Sequence, residues 1–440
     1  MGLVAAAEAT AGWAERGGYG ALGPGNSVPR FHITWGTGPG IVTPFEEAAR
    51  RAEDAGTLTI LPRHRVTELV IADGAVVGAR GDVLADSATE RGVTSSRDAV
   101  GDFEITAGAT IVASGGIGGN HELVRSAWPE RLGTPPAHML SGVPSYVDGS
   151  MQTVSAAAGA RLINGDRMGH YVEGIQNWNP VWPMHGIRIL PGPSSLWLDA
   201  TGRRLPVPLF PGFDTLGTLE HLRTTGHDHS WFVTSRQIVE KEFALSGSEQ
   251  NPDLTGRDVK LLLKSRLAKG PTGPVQAFLD EGADFIVEND LESLLEQMQR
   301  HDGGGILDID QVRREIIARD REMDNDFTKD AQIGMLRSMR GYRGDKLIRT
   351  AAPHRLQDPG AGPMIAVKLH VLTRKSLGGI NTDLAGRALG SDGAVIPGLF
   401  AAGEASGFGG GGVHGYRALE GTFLGGCLFS GRQAGRAAAC

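Results

Sequence analysis

Between Gly407 and Gly421 the chain reads GFGGGGVHGYRALEG, with five glycines ahead of Val413 and His414, and Tyr416, Arg417 and Glu420 close behind. Glycine loses more backbone freedom on folding than any other residue, so so dense a cluster marks a place where something bulky approaches the main chain. A glycine-rich loop feeding a helix holds an anionic or dinucleotide ligand, because free N–H groups and the helix dipole face it. His414 is either a proton donor, a ring-stacking neighbour or a structural hydrogen-bonder, and its type alone leaves these open. Such loops usually open a nucleotide domain, yet this one stands near the end of 440 residues.

Other reactive residue types are scattered. In NSVPRFHITWGTG, Arg30 and His32 lie two apart and share a face if the segment is extended. With Tyr19 they could line a substrate site, although packing would serve equally. His227, Asp228 and His229 form an HDH triplet, but no further ligand spacing accompanies it, so no metal site is expected. Tyr171, Trp178 and Trp182 read as an apolar wall, suited either to a ring-like or lipidic ketone or to a domain core.

The elements that must position these groups follow from pattern. Arg65–Arg80 alternates apolar and polar residues on both sides of Asp73-Gly74, a hairpin signal. ATIVAS is a short buried strand running into the glycines of GGIGGN, like an edge of a nucleotide site. SMQTVSAAAGARL reads as a helix stopped at Gly159, and a further helix is expected to start near Thr43-Pro44. PDLTGRDVKLLLKSRLA and DLESLLEQMQR read as surface helices, acidic early and basic late. GPMIAVKLHVLT is strand-like, and GGINTDLAGRALGSDGAVIPGLFAAGE a hairpin followed by a buried strand.

With 40% hydrophobic and 21% charged residues, the balance is that of a soluble globular protein. A net charge of -7 offers no basic stripe for nucleic acid. Cys427 and Cys440 are the only cysteines, too few for a disulfide framework or a cysteine-based zinc site. No apolar run reaches the ~18 residues of a membrane helix, and MGLVAAAEAT lacks the basic start of a signal peptide, so a cytoplasmic setting is expected.

Taken together, GGINTDLAGRAL, DGAVIPGLFAAGEASG, GGVHGY and EGTFLGGCLFSGRQAGRAA resemble the C-terminal part of the fumarate reductase/succinate dehydrogenase flavoprotein superfamily. Within it the chain is most similar to FAD-binding dehydrogenases related to 3-ketosteroid Δ1-dehydrogenases. The resemblance covers most of the chain and implies an α/β fold. A Rossmann-like FAD-binding domain would span residues 1–163 and 351–440, with an inserted α+β capping domain over 164–350. FAD is the implied cofactor. Val66 would meet adenine through its main chain, and Ser114, Gly115 and Gly116 would let the backbone pass close by. Gly378, Gly379 and Gly403 join this set, with Glu404 accepting hydrogen bonds from ribityl hydroxyls. The helix from Gly421 would aim the N–H groups of Thr422, Phe423 and Leu424 at the flavin pyrimidine ring.

The implied reaction is oxidation of a carbon–carbon single bond next to a carbonyl in a ketosteroid-like small molecule, with hydride going to flavin N5. Tyr416 would take the proton, His414 would assist, and Lys375 stands where fumarate reductases carry a substrate-binding histidine. Arg417 lies one residue before the position of their carboxylate-gripping arginine, and Glu420 stands where ketosteroid dehydrogenases have a glycine. After GRRLPVPLFPGFDT no arginine follows at the distance of their proton donor. The family's opening strand-GxGxxG-helix unit is not found: GTGPG and GGIGGN are expected to lack both its spacing and its strand-turn-helix context. The chain therefore reads as truncated at its N-terminus and as binding FAD weakly or not at all by itself. Two alternatives remain, a non-catalytic remnant and a reductase of an unsaturated acid. The electron acceptor is left open.

Overall fold

The structure, a computed structural model, describes residues 5–6, 33–407 and 423–440. Its largest element is an eight-stranded sheet in which Leu196–Asp199, His229–Ser235, Met364–Ser376, Met168–Gln176, Gly186–Leu190 and Ala244–Leu245 lie in that order. Phe285–Glu288 and Leu140–Ser141 also pair with Met364–Ser376, the longest strand. That strand is a near-continuous apolar run because both of its faces are covered. On one face Ile365, Val367 and Leu369 join Phe232, Leu219, Leu222 and Phe278. On the other, Met364 and Ala366 join Trp231, Leu294, Met298, Val312 and Ile316. The second layer is held by helices Leu291–Asp302 and Ile309–Met323, whose first turns are capped by the side chains of Asp290 and Asp308. This sheet takes strands from within 164–350 and its central strand from beyond residue 350.

A second part carries the glycine-rich connections. His64–Ala72, Ala75–Leu84 and Ala99–Thr106 form an antiparallel meander. Asp73 (φ 50°) and Gly74 (φ 76°) turn its first hairpin, the left-handed pair that a two-residue turn requires. Beside it Val395–Ala401 runs parallel to Thr110–Val112 and antiparallel to Arg387–Leu389. Helix Ser150–Ala157 and the C-terminal helix Phe423–Ala438 pack near these strands.

Three expectations need correction. The first long helix runs Thr37–Asp54, starting well before Thr43, with Pro44 inside it. Pro44 would clash with the carbonyl four residues back, but that residue is Gly40, whose backbone is free to yield. Ile33–Thr34 is a strand directly ahead of this helix, with Gly36 as its N-cap and the rest of GTGPG in its first turn, and Thr110–Val112 leads through Gly115–Gly119 into helix His121–Ser126, so both glycine motifs do lie at a strand-to-helix connection. PDLTGRDVKLLLKSRLA makes two helices, Pro252–Thr255 and Val259–Leu267, because Arg257 between them takes φ 53°.

Candidate active site

The end of the central strand, Arg374-Lys375-Ser376, meets the short turn Gly403–Ala405 that follows the buried strand Val395–Ala401. The Ser376 amide donates to Glu404 Oε1 at 2.7 Å, and Ser376 Oγ accepts from the Ile117 amide at 2.8 Å. Burial pushes the Glu404 carboxyl up, against that amide hydrogen bond and the nearby Lys375 and Arg374. Bare backbone surrounds it. A Cβ on Gly116 would stand 2.2 Å from Ser376 Oγ and 2.5 Å from Glu404 Oε1, and one on Gly378 would stand 2.1 Å from the Asn164 carbonyl oxygen. A Cβ on Gly379 would meet the Gly407 nitrogen at 2.4 Å. The Gly403 amide is tied to Ser430 Oγ of the C-terminal helix at 2.9 Å, which fixes the turn on that helix.

These residues fit FAD. Glu404 uses Oε1 for Ser376, which leaves Oε2 without a hydrogen-bond partner among the described residues. A half-buried carboxylate oxygen with no donor is what a polyol hydroxyl needs, and the glycines leave the main chain open to close approach.

Beside the carboxylate lies a group of cations. Burial holds the Lys375 ammonium down to about 7, helped by the charges of Arg374 and Arg188 and opposed by Glu404. Lys375 Nζ stands 3.5 Å from Tyr171 Oη, and the Arg188 guanidinium lies over the Tyr171 ring, 3.8 Å from its centroid. Arg188 Nε pairs with the buried Glu173 at 3.4 Å, and its Nη2 donates to Thr215 Oγ1 at 3.3 Å. The site therefore offers a carboxylate acceptor on one side and a lysine poised between its charged and neutral forms on the other.

Among the expected residues, Lys375, Gly116, Gly378, Gly379, Gly403 and Glu404 are brought together here. Gly115 (φ 82°) makes the turn into the site, while Ser114 is exposed. Val66 is half-buried in the meander opposite Gly81. Phe423 and Leu424 open the C-terminal helix, and Leu424 is exposed. Tyr416, His414, Arg417, Glu420, Gly421, Thr422, Tyr19, Arg30 and His32 lie outside the described residues. Asp228 of the HDH triplet serves structure: it pairs with Arg223 at 2.7 Å and accepts the amides of Ala137 and His138. The described residues contain no group of three or more metal-ligating side chains. Of the expected aromatic wall, Tyr171 is buried with Leu140 and Leu372, Trp182 stacks on His185 at 3.7 Å, and Trp178 is exposed.

Sequence reasoning missed Tyr171 as a polar partner and missed Arg188 and Arg374 altogether. One signal was present: Arg188 interrupts the apolar run GIRIL, and a charge inside a buried strand is rare unless paired. No arginine follows GRRLPVPLFPGFDT at the expected distance, but Arg188 reaches the site from the strand upstream of it.

Residues 4–424 match the FAD binding domain family. A KsdD-like steroid dehydrogenase of Mycobacterium tuberculosis is 61% identical over 428 residues, covering 97% of this chain and 75% of that protein. One from Mycolicibacterium smegmatis is also 61% identical over 428 residues, covering 97% of this chain and 78% of that one. Among solved structures, the open conformation of a flavocytochrome c3 fumarate reductase superposes with a TM-score of 0.57 at 20% identity. That match covers 93% of this chain but 57% of the reductase, so the chain spans little more than half its length. The 3-ketosteroid Δ1-dehydrogenase from Sterolibacterium denitrificans, in complex with 1,4-androstadiene-3,17-dione, gives a TM-score of 0.56 at 16% identity, over 85% of this chain and 59% of that one. At such identities the structural likeness speaks for the fold alone. No helix of the described residues is long and apolar enough to cross a membrane.

Proposed function

This chain belongs to the FAD binding domain family, and from that premise we propose the reaction it performs. FAD is its cofactor, and it is an FAD-dependent dehydrogenase acting on CH–CH donors. Its substrate is a steroid-like ketone, desaturated next to the carbonyl. The steroid dehydrogenases that match nearly the whole chain support that class, together with one observation: Lys375 and Glu404 meet at a single strand end. One substrate carbon loses a proton, its neighbour loses hydrogen with the bonding electron pair, and a double bond forms between them. Bound FAD supplies the two-electron acceptor for that hydride. Tyr416 takes the proton, His414 assists, and Lys375 as ammonium holds the ketone oxygen so that charge can develop there. Glu404 and the glycines at 116, 378, 379 and 403 hold the cofactor, with Val66, Ser114, Gly115, Gly421, Thr422, Phe423 and Leu424 completing its contacts.

In this arrangement residues 1–163 and 351–440 carry the flavin and 164–350 cap the substrate, and the strand Met364–Ser376 joins the two. The setting is the cytoplasm. The test is to record the visible absorbance of the purified chain with FAD, then add 4-androstene-3,17-dione. Bound yellow flavin that bleaches without oxygen supports the reaction. Bound flavin unmoved by any steroid ketone overturns it.

A further inference from the structure

The central strand and its neighbour Met168–Gln176 slip past each other twice, in opposite senses, around one residue. Leu372 faces Tyr171. To one side of that pair two steps of the central strand (372 to 370) answer three of its neighbour (171 to 174). To the other side three steps (372 to 375) answer two (171 to 169). Residues facing each other across a strand pair share a face of the sheet, and in a regular strand residues three apart do not. A bulge changes that count and re-aims a side chain. The first bulge turns Gly174 onto the face of Tyr171, and with it Arg188, which faces Gly174 from the next strand. The second turns Lys375 onto the same face. Gly174 leaves room for the first bulge, since a Cβ there would stand 2.7 Å from the His370 carbonyl oxygen and 2.9 Å from Leu372 Cβ.

The two cations meet the phenol in different ways. The Arg188 guanidinium lies over the ring, 3.8 Å from its centroid, and is held there by Glu173 and Thr215. Lys375 Nζ donates to Tyr171 Oη at 3.5 Å, the one hydrogen-bond partner of that hydroxyl among the described residues. Tyr171 packs on Leu140 and Leu372, but packing alone would be served by a phenyl ring. An ammonium has three donors, so one can rest on Tyr171 while another meets a ketone oxygen. We propose that Tyr171 is a positioning residue: with its ring clamped by Arg188, its oxygen holds the Lys375 ammonium in place for the substrate ketone. The proposal rests on the steroid-ketone function above and names what aims the lysine.

The experiment compares Tyr171→Phe, Lys375→Met and the double variant with the unaltered chain, each saturated with FAD. Tyr171→Phe keeps the ring between Arg188 and Leu372 and removes the oxygen alone, and an unchanged melting temperature reports an intact fold. Calorimetric affinities for 4-androsten-3-one and for 4-androstene, which lacks the oxygen, give the ketone preference. It should fall about threefold or more in Tyr171→Phe, the scale of one net hydrogen bond. It should fall further in Lys375→Met and no further in the double variant, because Tyr171 acts through Lys375. A double variant clearly below Lys375→Met overturns the role. A second readout needs no substrate: the isotope-labelled Cε resonance of Lys375, identified by its loss in Lys375→Met, follows a titration that lies at about 7. Losing an acceptor disfavours the ammonium, so in Tyr171→Phe the midpoint should move down by about half a unit. The other groups that bear on Lys375, namely Arg374, Arg188, Glu404 and Cys427, are untouched by that change. A midpoint that stays overturns the tie, while the ketone function is judged by the preference of the unaltered chain. No ketone preference in the unaltered chain, with a midpoint that moves, overturns the ketone function and leaves the tie.

Discussion

At the scale of single residues, Lys375 makes the sharpest claim. Folded, it titrates at about 7; unfolded, a lysine titrates near 10.4. Between those values the unfolded chain holds the extra proton, so this group makes stability rise with pH across the window and leaves it lowest below 7. Lys375→Met removes the burial of that charge. Its melting temperature should exceed the parent's by about 2 °C near pH 6, with the gap closing towards pH 10. A gap that does not change with pH would mean that Lys375 is solvated when folded. Gly116→Ala tests the other side of the site. The new methyl has Ser376 Oγ at 2.2 Å and Glu404 Oε1 at 2.5 Å, too close for either to stay. We expect a loss of about 1–3 kcal/mol in denaturant titration, the range for overpacking, and weaker FAD uptake. Lys375 and Glu404 were legible because they sit in local motifs, TRKSLGG and AAGE. Arg188 and Tyr171 were not, because only the pairing of distant strands brings them to Lys375.

Elements were legible where the signal is short in range. Asp73-Gly74 specifies its hairpin through two left-handed residues, and apolar alternation on both sides sets the register. The apolar run MIAVKLHVL announced a strand, but nothing local says that it pairs with Phe285–Glu288 and His229–Ser235, each more than 70 residues away in sequence. The helix near PDLTGRDVKLLLKSRLA was legible as helix but not as two, since apolar periodicity runs straight through Gly256 and Arg257. Capping is the property of these elements most open to test. Asp308 accepts the Gln311 amide at 3.0 Å and opens a helix whose Val312 and Ile316 lie in the core. Asp308→Ala should cost about 1 kcal/mol in urea unfolding at neutral pH. An unchanged midpoint would show that core packing alone fixes this helix start.

For the whole molecule, the question is whether the sheet and the glycine-rich part behave as one unit. The strand Met364–Ser376 is buried on both faces in the middle of the sheet, and its last residue holds both Glu404 and Ile117. Anything that stabilises the Glu404 turn is thereby tied to the sheet's central strand. A ligand that binds only the folded chain stabilises it by about 2.7 kcal/mol at one hundred times its Kd. FAD should therefore slow amide exchange not only at Gly403–Ala405 but along Ile365–Leu369, several strand residues from the carboxylate. Ser376→Ala cuts the link at one point. It leaves the Ile117 amide buried without its acceptor, at a cost of about 1–3 kcal/mol, while the Ser376 amide to Glu404 remains. In that variant FAD should still protect the Glu404 turn, but protection of Ile365–Leu369 should fall. If FAD protects the sheet equally in both proteins, the two parts are coupled through other contacts, and the strand is packing rather than a tie. If FAD protects neither, the chain does not hold the cofactor by itself.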